Sequence, residues 1–248
     1  MAGPTDPRRR SDRRTLLFVV LGSIFLTNAI VAELVGGRLF ETRLLGLDLV
    51  LSSGALLWPV VFVTSDLINE YFGRPGVRRL SFVGAAMIAW AFVAITLCGL
   101  PPAASFSPVS DAAFAQVFRQ SRWIIVGSII AFLIAQFLDV SVFWLLRRWT
   151  GRKALWLRAT GSTVVSQVID TFIVGFIGLH LPYILYGSGN GIDFPTFVRS
   201  ASSGYLFKFV VAILATPLLY VGHAIVDSWV GHDESDALIE GAAHEAVG

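Results

Sequence analysis

Six long apolar stretches dominate this chain, at 15–36, 44–64, 80–100, 122–146, 159–185 and 204–230. Each approaches or exceeds the roughly 20 residues that an α-helix needs to cross a bilayer. Because lipid offers the backbone no hydrogen-bond partners, segments of this kind are expected to be helices. We therefore predict an all-α membrane protein, a bundle of six transmembrane helices over residues 15–230 that sits in a lipid bilayer.

The composition excludes a soluble domain. Hydrophobic residues make up 55% of the 248 residues and charged residues only 15%, whereas soluble domains carry roughly a quarter charged residues. The single cysteine, Cys98, excludes a disulfide framework and a thiolate metal site. Without a GxxxxGK[ST] phosphate-binding loop, the chain is not expected to hydrolyse ATP itself. We expect no metal, no cofactor and no nucleic-acid partner.

The basic residues predict the orientation. Thirteen of the 19 Lys and Arg residues lie in the N-terminal tail and in the links near 74–79 and 147–158. Cytoplasmic loops of membrane proteins carry an excess of Lys and Arg. We therefore expect a protein of a cytoplasmic-type membrane with both termini in the cytoplasm. Residues 1–14 would form a basic tail, and residues 231–248 an acidic, disordered tail.

The N-terminus allows a second interpretation. Arg13 and Arg14 precede an apolar run, as in a twin-arginine signal, and small residues follow at 29–32. An uncleaved first helix with a basic cytoplasmic flank explains the same residues, and the apolar run continues to Val35.

Two predicted helices carry the same polar pattern near their middle. Gln136 precedes Asp139 by three residues, and Gln167 precedes Asp170 in the same way. Residues three apart share one helix face, so each helix presents an amide beside a carboxylate. Ionisable groups inside a membrane usually mark a functional site, and this pair of faces would suit a flat ligand rich in N–H groups. The alternative is that these side chains only bond the helices together.

Other polar residues inside the spans are candidates too. Asp66, Asn69 and Glu70 share one face at the end of the second span, where Arg74, Arg78 or Arg79 could instead pair with them. Asn28 lies in the middle of the first span. Lys208 lies just inside the last, where it could reach the surface or face a carboxylate.

An intramembrane protease is a rival interpretation, because Ser128 and His223 lie in the fourth and sixth spans. Under the expected topology they lie at opposite faces, roughly 20 Å apart by helical rise. A nucleophile and its base must be about 3 Å apart. We therefore do not expect an enzyme.

Several motifs, taken in order, resemble one known family. They are TSDLINEYFG at 64–73 with Arg78-Arg79, QFLD at 136–139 with Phe143, LWLRATGST at 155–163, QVIDT at 167–171, and Lys208 with Thr216-Pro217. Over residues 16–230 the chain is similar to the queuosine precursor transporters, also called the vitamin uptake transporter family.

The resemblance implies import of 7-cyano-7-deazaguanine or 7-aminomethyl-7-deazaguanine, and a layout similar to the substrate-binding subunits of energy-coupling factor importers. Such a transporter would act in the bacterial inner membrane, alone or as a homo-oligomer. The alternative is a substrate-capture subunit that needs an ATP-driven partner. Phe137, Phe143, Phe172 or Tyr205 could stack on the base. The residues expected to bind substrate are Asn28, Asp66, Asn69, Glu70, Gln136, Asp139, Phe143, Arg158, Gln167, Asp170 and Lys208.

Overall fold

A computed structural model describes residues 7–36, 38–44, 46–118, 122–151, 153–187 and 191–245. The helices are α1 (Pro7–Val35), α2 (Trp58–Cys98), α3 (Asp111–Phe118), α4 (Arg122–Thr150), α5 (Leu155–Gly175), α6 (Leu181–Tyr186), α7 (Phe194–Val230) and α8 (His232–Glu245). The other elements are strands β1 (Leu39–Leu44) and β2 (Leu47–Ser52), a 3-10 turn (Ser53–Leu56) and a π-helical turn (Phe176–His180).

The predicted all-α membrane fold is confirmed, but the predicted helix boundaries are not. Within the described residues, 5 helical segments are long and apolar enough to cross a membrane, where the sequence predicted six spans. They are Asp12–Val35, Trp58–Cys98, Ile125–Thr150, Leu155–Tyr186 and Phe194–Val230. The difference in number arises because the end of one predicted span (58–64) and most of the next (80–98) lie in the single 41-residue helix α2.

Helix α2 reverses its direction at Gly73. The backbone of Gly73 has φ 62° and ψ −166°, which is not helical, and Pro75 follows it. Contacts with α1 give the direction of the two arms, 58–72 and 74–98. In the first arm Phe72 packs on Phe18, and Gly54 just before it lies against Ala32; in the second arm Leu80 faces Gly22 and Gly84 faces Leu26. The first arm is therefore antiparallel to α1 and the second is parallel to it.

The predicted helix over 44–64 is wrong in its first part. Strands β1 and β2 form an antiparallel hairpin there, with Leu39 opposite Ser52 and Leu44 opposite Leu47. Glu41 and Arg43 alternate with Phe40 and Thr42, which is the two-residue period of a strand. Gly46 supplies the positive φ, 82°, that a tight hairpin turn requires.

The predicted disorder of the acidic tail is also wrong for residues 232–245. Helix α8 packs against α2, and Leu238, Ile239 and Ala242 are buried. These three residues form an apolar stripe on one face of the helix, and burying that stripe stabilises an otherwise polar segment. The remaining residues of the predicted tail, 246–248, lie outside the described residues.

One end of the bundle contains described residues from each segment that the sequence assigns to the cytoplasm. Arg13 Nη1 donates to the Val230 carbonyl at 3.4 Å, which joins the start of α1 to the end of α7. Gly73 lies against Ala242 of α8, and Arg147 Nη2 of α4 donates to the Ile239 carbonyl at 3.2 Å. The two described termini and the α2 reversal therefore share one side.

Replacing Gly73 with Ala is expected to destabilise the protein by about 1–3 kcal/mol, because its φ and ψ lie in a region that is essentially restricted to glycine. The added Cβ would also crowd the Ala242 carbonyl. The measurement is thermal unfolding of the purified protein in detergent. Gly241→Ala is the matched control, since that glycine has open space and a helical backbone; equal effects of the two variants would contradict the assignment.

Candidate substrate cavity

The amide–carboxylate faces of α4 and α5 meet at one cavity. Gln136 and Asp139 reach it from α4, and Gln167 and Asp170 reach it from α5. All four side chains are buried, with between 5% and 8% of their surface exposed. The first arm of α2 closes the third side, where Ser65 joins the lining. The repeated Gln-x-x-Asp spacing therefore brings two antiparallel helices together around a polar chamber.

The aromatic walls of the cavity are Trp58, Phe62 and Phe132, none of which the sequence analysis named. The Trp58 and Phe62 rings stack, with centroids 5.8 Å apart and planes inclined by 28°. Trp58 and Phe62 are four residues apart, and Phe62 is three residues before Ser65. This spacing places all three on one helix face, and it was the signal in the sequence that could have identified the two aromatic residues. The chamber leaves about 20 Å³ for the centres of water molecules, which is room for about one water.

The residues that the sequence offered for stacking lie elsewhere. Phe143 is fully buried in the core, with the Arg158 guanidinium 5.6 Å from its ring centroid. Phe137 packs edge-on against Phe82, and Phe172 against Phe197. Tyr205 packs against Phe209. Spacing within one helix predicts only the contact of Tyr205 with Phe209, which are four residues apart on α7. The other contacts depend on which neighbouring helix the ring faces.

Two buried acceptors in the cavity lack a hydrogen-bond partner among the described residues. They are Oδ2 of Asp139 and Oε1 of Gln167. The other oxygen of Asp139 accepts from the Ser166 hydroxyl at 3.2 Å. An unsatisfied buried polar group costs about 1–3 kcal/mol, so native proteins rarely keep one without a reason. The cavity therefore presents two acceptors to an N–H donor.

Asp170 differs from Asp139 because it already has a partner. Lys208 Nζ of α7 lies 2.5 Å from Asp170 Oδ2, and their side chains are 15% and 7% exposed. The same ammonium lies 5.1 Å from the Trp58 ring centroid. Of the two possibilities for Lys208, the structure shows the one in which it faces a carboxylate.

Glu70 and Arg158 pair with each other outside the cavity. Arg158 Nη2 contacts both Glu70 oxygens at 3.0 Å, and Arg147 Nη1 contacts Glu70 Oε2 at 3.2 Å. Arg158 also donates to the Gly151 and Lys153 carbonyls. The sequence suggested Arg74, Arg78 or Arg79 as the partner of Glu70, and this suggestion is wrong. The arginines that bind Glu70 come from α4 and α5.

Three other candidates also lie outside this cavity. Asp66 lines a second, smaller cavity between α2, α5 and α7. Asn69 is fully buried, and neither its amide oxygen nor its amide nitrogen has a partner among the described residues. The Asn28 amide donates to the Ile24 carbonyl of its own helix at 2.8 Å.

Comparison with known proteins identifies the family. Residues 52–222 match the family model described as putative vitamin uptake transporter. The probable queuosine precursor transporter of Bacillus subtilis (strain 168) is 30% identical over 178 residues, which cover 70% of this chain and 72% of that protein. The queuosine precursor transporter of Escherichia coli (strain K12) is 29% identical over 161 residues, which cover 65% of this chain and 67% of that protein.

No solved structure matches the chain. The family consists of transporters, and the apolar helices fit a multi-pass inner-membrane protein. The intramembrane protease interpretation is therefore set aside. The chain belongs to the queuosine precursor transporter family, also called the vitamin uptake transporter family, and is a membrane transporter and not an enzyme.

Proposed function

We propose that this transporter imports a 7-deazaguanine precursor of queuosine, either the 7-cyano or the 7-aminomethyl form, and binds it in the cavity between α2, α4 and α5. The observation that carries the proposal is the pair of unpartnered buried acceptors, Asp139 Oδ2 and Gln167 Oε1. A guanine-like edge offers two adjacent donors, the ring N1–H and the 2-amino group. A carboxylate accepts such paired donors well.

The remaining cavity groups complement the rest of such a base. The Gln136 amide can donate to the ring carbonyl, and Trp58 and Phe62 can stack on the ring faces. Because the chamber holds only about 20 Å³ for water centres, these aromatic rings must separate when the base enters. This conformation is therefore closed around the site.

We further propose six crossings of the membrane, because each arm of α2 would cross separately. The arm 58–72 is about 22 Å long at 1.5 Å per residue, and the 3-10 turn Ser53–Leu56 extends it at the outer end. The excess of basic residues at the end with the termini supports a cytoplasmic location for that end. Substrate would then reach the chamber alternately from the two sides.

The test is uptake of labelled 7-cyano- and 7-aminomethyl-7-deazaguanine into liposomes that contain only the purified protein. We expect saturable uptake of each deazaguanine. The other deazaguanine should inhibit this uptake by competition, whereas guanosine and unrelated vitamins should not. Binding without uptake would favour the rival, a capture subunit that needs an ATP-driven partner. A thermal-shift panel in which another vitamin stabilises the protein, and neither deazaguanine does, would overturn the proposed substrate.

A further inference from the structure

A second cavity adjoins the substrate cavity and lies nearer the end of the bundle that holds the described termini. Phe62 forms part of the wall of both cavities. Helix α5 begins at that end, and it lines the second cavity with residues between 159 and 163 and the first with residues between 166 and 170. The two sets are about seven residues apart, or roughly 10 Å at 1.5 Å per residue. The second cavity therefore lies between the substrate cavity and the end that the proposed function assigns to the cytoplasm.

The α2 face beside the second cavity carries three buried polar atoms without a hydrogen-bond partner among the described residues. They are Oδ1 of Asp66, which lines the cavity, and both the amide oxygen and the amide nitrogen of Asn69. Asp66 is 5% exposed and Asn69 is fully buried. Asn69 follows Asp66 by three residues, so the two side chains share one helix face. Polar side chains that only held helices together would bond across the interface, so this face is available to a ligand.

Asp66 and Asn69 offer the same functional groups as the substrate cavity, a carboxylate and an amide. A carboxylate accepts two parallel hydrogen bonds from adjacent N–H donors, and an amide can donate to a ring carbonyl. The hydroxyls of Thr160, Thr163 and Thr216 line the second cavity as well, and each can donate or accept. None of the described residues that line it is positively charged, so the lining favours a ligand rich in N–H donors over an anion.

The second cavity is closed in this conformation. It leaves about 10 Å³ for the centres of water molecules, which is at the lower limit for one water, so the helices around it must separate before a base can enter. The smallest side chains of its lining are Ala159, Ala212 and Ala215, and the polar contact between α5 and α7 is a neutral hydrogen bond between the Thr160 and Thr216 hydroxyls at 2.9 Å. Among the described residues of α5 and α7 that line it there is no aromatic ring and no ion pair. A modest separation of the helices therefore makes room.

We propose that Asp66 and Asn69 form a second subsite for the base, which the base occupies after it leaves the substrate cavity and before it reaches the cytoplasm. This rests on the proposed function, because the ligand of the second subsite is taken to be the ligand of the first. Phe62 separates the two subsites, so the base passes this ring on its way inward. The base exchanges one carboxylate and amide for another, and its N–H donors therefore lack a protein partner only during the step between the subsites.

Asp66→Asn tests the second subsite with two measurements. Because Asp66 does not line the first cavity, the affinity of the detergent-purified protein for labelled 7-cyano-7-deazaguanine should stay within about twofold of wild type. The maximal rate of uptake into liposomes should fall about tenfold, because the base loses a charge-assisted hydrogen bond on its way inward. Asp111→Asn, at an exposed position of α3, is the matched control and should keep both values. A loss of affinity as large as that of Asp139→Asn, or an unchanged maximal rate, would overturn the second subsite.

A thiol reagent gives a test that does not depend on the folding of Asp66→Asn. Thr160→Cys on a Cys98→Ser background places the single thiol of the chain in the wall of the second cavity. A membrane-impermeant maleimide should react with this thiol in inside-out vesicles and not in right-side-out vesicles. The reaction should stop uptake and leave binding to the detergent-purified protein unchanged. In the matched control the same reagent labels Cys98 of the wild-type chain, which is exposed at the far end of α2, and uptake should not change.

The labelling itself needs no substrate, so it separates failure of this subsite from failure of the proposed function. If deazaguanines do not bind the wild-type protein, the proposed function fails, and access of the maleimide to Thr160→Cys still decides whether the second cavity opens to the cytoplasm. Absence of labelling in inside-out vesicles contradicts that opening. Uptake that continues after complete labelling shows that the base does not pass through the second cavity.

Discussion

Asp139→Asn is expected to weaken binding of 7-cyano-7-deazaguanine by about 30-fold or more. The substitution keeps the shape of the side chain but removes the charge and replaces one acceptor oxygen with an NH₂ donor. That donor would face the N–H groups of the base, so the partners would repel instead of bonding. Truncating one partner of a buried, charge-assisted pair costs about 2–5 kcal/mol, and 1.4 kcal/mol corresponds to a factor of ten.

Titration calorimetry on the detergent-purified protein measures this effect. The matched control is Asp111→Asn, which makes the same chemical change at an exposed site at the start of α3. Asp139→Asn should remain folded, because the side chain is not paired with a described cation. Wild-type affinity in this variant would show that the base binds outside the cavity between α4 and α5.

Asp170→Asn should give a different result from Asp139→Asn, because only Asp170 is paired with a lysine. Asp170 is bound to Lys208, so the variant leaves a partly buried ammonium without its carboxylate. We therefore expect Asp170→Asn to lower the unfolding temperature as well as the affinity. If Asp170→Asn instead keeps normal stability and loses substrate binding, Lys208 and the base bind the Asp170 carboxylate in turn.

The part of the site that depends on spacing within one helix was predictable from the sequence. Gln136 with Asp139, and Gln167 with Asp170, share a face because they are three residues apart. Both helices are long and apolar, so their polar faces could only be directed inward. The structure brings these four side chains to one cavity.

Contacts between distant helices were not predictable in this way. Glu70 lies 77 and 88 residues from the arginines that bind it, and the spacing of residues along one helix carries no information about partners that distant. The pairing that separates Asp170 from Asp139 is likewise set by the packing of α7 on α5. The short strands β1 and β2 were missed because an apolar count over about 20 residues averages out a two-residue alternation.

Glu70→Gln is expected to destabilise the protein by about 3–5 kcal/mol, the cost of breaking a buried ion pair by removing one partner. Glu70 is 4% exposed, and its carboxylate joins α2 to Arg147 of α4 and Arg158 of α5. Without that charge, two buried guanidinium groups repel each other in a low-dielectric environment. Thermal and denaturant unfolding in detergent measure the loss, and Glu41→Gln on the exposed face of β1 is the matched control.

Removing one of the two cations separates a structural role of Glu70 from a role in binding substrate. If the lost stability comes from repulsion between the two guanidinium groups once the Glu70 charge is removed, Arg147→Gln on the Glu70→Gln background should restore part of it. The two effects would then be non-additive, as they are for residues in one ion-pair network. The folded fraction of either variant should bind deazaguanine as wild type does, because Glu70 does not line the cavity. Normal stability together with lost binding in Glu70→Gln would instead place the base against Glu70 and Arg158.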